Sequence, residues 1–225
     1  MYIYAVVQKR QGRHKAKFES ALGQECRIVS YDELNLRAVE RLRPRGVIVS
    51  GFADQIENYS VKGLRGLDEV MHKAELPILG ICGGHQLIGF GFNRNLKRAR
   101  RLFDEPIRRL RAGEDLPRHV TGDARGTTYF KAEGYYPIRR LKNDPLFRGL
   151  PRTMLLKCAH YCEVKKLPED FELLASSGHC AIEAMRHRER LLYGVQFHPE
   201  GYEAPFLDGR RILENFGVIV EKFWG

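Results

Sequence analysis

The stretch PILGICGGHQLIG, Pro77 to Gly89, does most to limit what this chain can fold into. An apolar run climbs to one cysteine and breaks at once into two glycines and a histidine. Such a run, with glycines at its end, reads as a strand, a tight turn and a helix. Two phosphate-binding uses of that shape fail on residue type. A P-loop ends in Gly-Lys-Ser or Gly-Lys-Thr, whereas His85 and Gln86 follow these glycines. A dinucleotide fingerprint needs G-x-G-x-x-G directly after the strand, and Gly80, Gly83 and Gly84 do not supply it. The run Gly80-Ile81-Cys82-Gly83-Gly84 does match G-x-C-x-G, the cysteine form of the nucleophile elbow of α/β hydrolases. Small residues on either side let the chain turn and the helix pack on the sheet. A cysteine there sits at a helix N-terminus, where the dipole favours a thiolate. Gly83 can offer a backbone N–H to an oxyanion. The plain alternative is a buried cysteine in a glycine turn.

The flanking sequence suits an elbow. Strands are expected over Tyr2–Val7, Cys26–Ser30, Gly46–Ser50 and Pro77–Ile81. Helices are expected over Arg13–Leu22 with a stop at Gly23, over a segment capped by Asp32 and ended by Pro44, and over Ser60–Ala74. Alternating strands and helices imply a parallel sheet covered by helices, with ligands beyond the carboxyl ends of the strands. Further strand-like runs are Thr127–Ala132, Tyr135–Ile138, Thr153–Cys158, Phe171–Ser176, Ala181–Met185 and Leu191–Phe197, and a last helix covers about Leu207 to Lys222. No repeat or linker divides the 225 residues, so one α/β domain over 1–225 is expected. It carries a basic insertion at about 93–127, with a partly helical pattern broken by Pro106.

A cysteine nucleophile needs a base, and the base an orienting group. LLYGVQFHPEGYE, near the C-terminus, places His198 and Glu200 after another apolar strand. Residues two apart on extended chain face the same way, so Glu200 is expected to orient His198 toward Cys82. A surface turn with an incidental histidine is the alternative.

GICGGHQ together with GVQFHPE resembles the class I glutamine amidotransferases, whose triad is Cys-His-Glu. IEAMRHRERLLYGVQFHPE, Ile182 to Glu200, is similar to the glutaminase part of GMP synthetases. The resemblance covers about Met1–Gly91 and Tyr129–Phe216. It implies a Rossmann-like α/β domain, a mostly parallel sheet in three flavodoxin-like layers, and hydrolysis of glutamine's side-chain amide without a cofactor. It makes Cys82 the nucleophile, His198 the general base and then acid, and Glu200 the residue that holds His198. Gly83 and the loop after the third strand, Gly51 and Phe52, form the oxyanion hole. Gln86 and the segment at His160, Tyr161 and Cys162 hold the glutamine, the segment through its backbone. One departure concerns Phe52, which stands where the family has the second glycine of Gly-Gly-Pro. A bulky residue resists positive φ, so the loop is expected to open differently or to need a partner.

The other departure is the insertion. Half of the net charge of +10 lies between Asn93 and Arg125, where ten Arg or Lys face five acids. Arg94, Lys97, Arg98, Arg100, Arg101, Arg108, Arg109 and Arg111 belong to it. It is either a solvated face or a docking surface for an acidic ligand or for a synthetase that accepts the ammonia, because no ATP-binding signature lies in this chain. Phe103 is the lone aromatic of the stretch, which argues against nucleic acid.

Cys158, His160 and Cys162 alternate and invite a metal reading with His179 and Cys180. Structural zinc usually takes cysteines two to four residues apart around a turn, so packed thiols and no metal are the expectation. Five scattered cysteines argue against a disulfide framework and for a reducing, cytoplasmic setting. No run is long enough to span a membrane. Two other functions share these residues: a γ-glutamyl peptide hydrolase, and a glutamine-binding regulatory relative without turnover.

Overall fold

The computed structural model describes residues 1–7, 12, 14–52, 54–114 and 128–225. Four apolar runs of the first half become β1 (Tyr2–Val6), β2 (Cys26–Ser30), β3 (Val47–Val49) and β4 (Ile78–Ile81). Between them lie α1 (Lys15–Leu22), α2 (Leu36–Leu42) and α3 (Val61–Lys73), and α4 (Gly83–Asn93) follows β4. The second half supplies β5 (Ala132–Arg140), β6 (Thr153–His160), β7 (Phe171–Ser176), β8 (Ala184–His187), β9 (Leu192–Val195) and α5 (Asp208–Trp224). All nine strands share one sheet, in the order β2-β1-β3-β4-β9-β8-β7-β5-β6. From β2 to β9 the pairs are parallel. From β9 to β6 they are antiparallel.

The parallel part is buried on both faces, as helical crossovers require. β1, β3, β4 and β9 contain buried residues only. The two-residue period of β1 shows the layering. Tyr2, Tyr4 and Val6 join Phe18 of α1 and Ile212, Leu213 and Phe216 of α5 in one core. Ile3 and Ala5 join Leu64, Leu67 and Val70 of α3 and Leu87 and Ile88 of α4 in the other.

Local signals act as expected at Gly23, which takes φ 64° and ends α1 by donating its N–H to the Glu19 carbonyl. Arg13, the expected start of α1, lies outside the described residues. Two expectations about helices are corrected. Asn35, not Asp32, caps α2, its side chain accepting from the Ala38 N–H at 3.0 Å. The chain first makes a turn in which Glu33 and Leu34 donate to the Ser30 carbonyl, and the Ser30 hydroxyl donates to the Asp32 carboxylate.

The basic insertion is the second correction. Its described part, 94–114, forms turns and isolated bridges, not a helix. Pro106 removes a helical donor, and neighbouring chain satisfies the backbone instead. Ile107 donates to the Tyr161 carbonyl and Glu163 to that of Glu105, while Phe130 donates to Arg108. Residues 115–127 lie outside the described part.

Candidate active site

β3, β4 and β9 are adjacent and parallel, so their carboxyl ends deliver Gly51, Cys82 and His198 to one place. Cys82 turns sharply there, with φ 51° and ψ −103°. An L-residue held in that region costs on the order of 1–3 kcal/mol. Two hydrogen bonds hold it: its N–H donates to the Val195 carbonyl at 2.8 Å, and its carbonyl accepts from the Gln86 N–H at 2.9 Å. The glycines act through close approach. A Cβ on Gly80 would lie 2.8 Å from the Gly84 carbonyl, and one on Gly84 would lie 2.5 Å from that of Val49. Glycine at both positions lets α4 rest directly on the strands, with Cys82 at its N-terminus.

Gly51 sits between Cys82 and His198. A Cβ there would lie 3.3 Å from Cys82 Cβ, 3.6 Å from its Sγ and 3.4 Å from His198 Cε1. The His198 N–H donates to the Lys157 carbonyl at 2.7 Å. Its Nδ1 lies 2.7 Å from Glu200 Oε1, which leaves Nε2 for the sulfur side. The pairing has a different cause from the one expected. Pro199–Gly201 is a single 3₁₀ turn, not extended chain, and it carries the Glu200 carboxylate back under the imidazole. Burial works against a charged imidazole, but the Glu200 carboxylate and the Cys82 sulfur outweigh it and raise the His198 pKa well above its ordinary value. Burial likewise pushes Glu200 up, and the facing imidazolium prevails and lowers it. Each group favours the charged form of its neighbour.

The loop after β3 closes the other side. A Cβ on Gly83 would lie 2.4 Å from the Phe52 nitrogen, so the Phe52 backbone packs directly against the residue that follows Cys82. Phe52 takes no positive φ; among described non-glycine residues only Arg43 and Cys82 do. The loop accommodates the bulky residue by stacking its ring on Tyr59, with centroids 5.1 Å apart. Gln86 is buried and donates to the Cys162 carbonyl at 3.1 Å and to Gln196 Oε1 at 3.3 Å.

A family model described as "Glutamine amidotransferase class-I" matches residues 17–220. The chain belongs to the class I glutamine amidotransferases. It is 36% identical over 201 residues to a subunit of the glutamine-hydrolyzing GMP synthase of Pyrococcus abyssi, covering 88% of this chain and 87% of that one. Against the subunit of the same name from Archaeoglobus fulgidus it is 30% identical over 223 residues, 99% of this chain and 100% of that one. A crystal structure from Thermoplasma acidophilum, provisionally described as a GMP synthase subunit, superposes with a TM-score of 0.73 at 25% identity, covering 100% and 96% of the two chains.

In this amidotransferase the structure gathers Cys82, His198, Glu200, Gly51, Phe52 and Gly83 around one point, with Gln86 and the Cys162 backbone beside it. His160 is different. Its side chain turns inward, its Nδ1 lies 2.9 Å from the Cys162 carbonyl, and burial lowers its pKa to about 3. Tyr161 donates its hydroxyl to Asp104. Two residues escaped sequence reasoning. Gln196 directs Nε2 at Cys82 Sγ, 3.6 Å away, and its signal was its place two residues before His198. Asp104, in the insertion, also accepts from the Ile56 N–H at 3.1 Å and so ties the Tyr161 segment to the chain beyond the Phe52 loop. No local pattern announces that role.

Proposed function

We propose that this amidotransferase hydrolyses the side-chain amide of glutamine through a thioester on Cys82 and passes the ammonia to a separate synthetase protein. The observation that carries the reading is the strained Cys82 elbow facing a His198–Glu200 pair. The Cys82 thiolate attacks the amide carbon of glutamine. The Phe52 and Gly83 N–H groups receive the developing oxyanion, where one donor is worth about 2.7–4 kcal/mol of barrier. His198 gives its proton to the leaving nitrogen, which departs as ammonia. His198 then takes a proton from water, whose oxygen attacks the thioester, and glutamate leaves as the thiol is restored. Gln86 and the backbone at His160–Cys162 hold the amino-acid end of the substrate.

The acceptor is a GMP-forming synthetase, as the names of the relatives indicate. The basic segment supports docking of that partner on the insertion itself. Arg94, Arg101 and Arg108 pair with Glu105, Glu57 and Glu114. Lys97, Arg98 and Arg100 make no ion pair with a described residue and remain for an acidic partner. No helix among the described residues is long and apolar enough to cross a membrane.

The test is glutamate release from glutamine by the purified chain, alone and with the synthetase protein, beside Cys82→Ala. Turnover that vanishes in the variant is expected. Release that survives Cys82→Ala overturns the reading, and turnover of γ-glutamyl peptides in preference to glutamine assigns the triad to a peptide hydrolase.

A further inference from the structure

Behind the catalytic pair lies a second cluster that the reaction does not use. Cys158 and His160 project from one face of the last turns of β6, where burial alternates along the strand. His179 comes from the tight turn after β7, and Glu183 immediately precedes β8. A ligand atom from each of the four lies within 4.8 Å of the other three. Cys162 and Cys180, which the alternation in sequence had suggested, fall outside the set.

The polar atoms of this cluster lack partners. Glu183 is fully buried, and neither of its carboxylate oxygens has a well-formed hydrogen bond. Nε2 of His160, on a side chain 3% exposed, has none either. His179 Nε2 lies 3.4 Å from Glu183 Oε1, too far and too poorly aimed for a firm bond. Buried carboxylates without hydrogen bonds are expensive. The Ser177 hydroxyl accepts from the His179 and Cys180 N–H groups, and its own O–H is shared between the Cys180 carbonyl, 3.4 Å away, and Glu183.

The surroundings prepare the imidazoles as ligands. The Cys162 carbonyl beside His160 Nδ1 fixes the proton there and leaves the Nε2 lone pair facing the cluster. That backbone contact is the usual outer-shell support of a metal-binding histidine. The turn at His179 is held by the Ser177 N–H donating to the Cys180 carbonyl at 2.9 Å. Burial raises the pKa of both Cys158 and Glu183, so an entering divalent ion displaces their protons, and the resulting thiolate, carboxylate and two neutral imidazoles carry two negative charges. One divalent cation balances those charges and gives both Nε2 atoms and one Glu183 oxygen a partner.

We propose that Cys158, His160, His179 and Glu183 form a binding site for a divalent transition-metal ion of the zinc type. One thiolate, two imidazoles and one carboxylate suit a tetrahedral, borderline-soft ion. Tetrahedral bonds of about 2.0–2.3 Å bring ligand atoms to roughly 3.3–3.8 Å from one another, so each atom here moves inward by under about 1 Å. Four protein ligands leave no open position, so the site is structural. It clamps the end of β6, and with it the His160–Cys162 backbone, to the turn after β7.

The experiment uses the purified full chain, stripped with a chelator and titrated with cobalt(II) and then zinc(II). Expected are one ion per chain, visible d–d bands of tetrahedral cobalt, a near-ultraviolet thiolate-to-cobalt band, and a rise in Tm with zinc. Cys158→Ser abolishes the thiolate band. His179→Gln, on the more accessible turn, weakens binding by at least about 100-fold, the upper range for losing mere outer-shell support. Cys180→Ser leaves both unchanged. Wild-type protein that binds no cobalt at micromolar free ion overturns the proposal without recourse to any variant. So does a thiolate band that survives Cys158→Ser and disappears in Cys82→Ala, which would place the ion on the catalytic pair.

Discussion

Gly83→Ala tests whether the Phe52 loop forms the oxyanion hole. The added Cβ would stand 2.4 Å from both Cδ2 and the backbone nitrogen of Phe52 and 2.7 Å from Cγ. Carbon contacts settle near 3.5–4.0 Å, so the Phe52 backbone must retreat by roughly 1 Å. An oxyanion donor acts at about 2.7–3.1 Å, so the Phe52 N–H falls out of range and kcat drops about 10²- to 10³-fold. KM changes little, because the donor tightens on the transition state and not on the bound amide. Overpacking costs about 1–3 kcal/mol of stability, which leaves a typical domain folded. Gly217→Ala in α5 is the matched control. Its Cβ has ordinary contacts, the nearest being Leu22 Cδ2 at 3.6 Å. Replacing a mid-helix glycine by alanine stabilises by about 0.5–1 kcal/mol, with kcat unchanged. The assay is steady-state glutamate release together with a thermal melt of each protein. A folded Gly83→Ala enzyme with kcat within about twofold of wild type would refute the assignment of the Phe52 N–H to the hole.

Other consequences follow from the same geometry. Glu200→Gln removes the charge that raises the His198 pKa. The imidazolium is present below its pKa and lost above it, so the basic limb of the kcat/KM profile moves to lower pH; an unmoved limb would show that Glu200 does not set it. His85 is buried without exposure, and desolvation lowers its pKa from 6.5 to about 4. Unfolded chain binds that proton first as pH falls, so a contribution of about 3 kcal/mol is complete above pH 6.5 and lost between there and about pH 4. Denaturant unfolding of His85→Gln at pH 7 and at pH 4 should show an acid loss smaller by that amount, and an equal loss would contradict it. Asp104→Ala releases Tyr161 and the Ile56 N–H together. It should raise KM for glutamine with a smaller effect on kcat, and unchanged steady-state constants would deny Asp104 a positioning role.

The grouping of Cys82, His198 and Glu200 was legible because each of its halves is a local pattern. Cys82 is marked by glycines that only a close approach explains, and His198 and Glu200 by the strand end before them. That the two halves meet rests on tertiary pairing: β4 and β9 are parallel neighbours although β5 to β8 stand between them in the chain. Tertiary context decided the rest. The helical pattern of the insertion lost to backbone pairing with 161–163 and 128–130. Asp32 is a good capping residue, but the turn at Ser30 used it before α2 began. The order of the antiparallel strands depends on pairings such as β5 with β6 and β7, which no spacing records. In the buried cluster the alternation of Cys158 and His160 was visible, whereas Glu183 was not. It reads as one more acid within the strand expected over Ala181–Met185, until the β8 pairing carries it beneath the end of β6.

The most direct test of the central claim is covalent trapping with a chloroketone analogue of glutamine, mapped by mass spectrometry. The chain has five cysteines, all free and all buried, so site selectivity is informative. Cys82 alone should be alkylated, with protection by glutamine and a sharp loss of rate in His198→Ala. Alkylation spread over the other thiols, or a Cys82 that reacts no faster than they do and is not protected by glutamine, would contradict the assignment of Cys82 as the nucleophile.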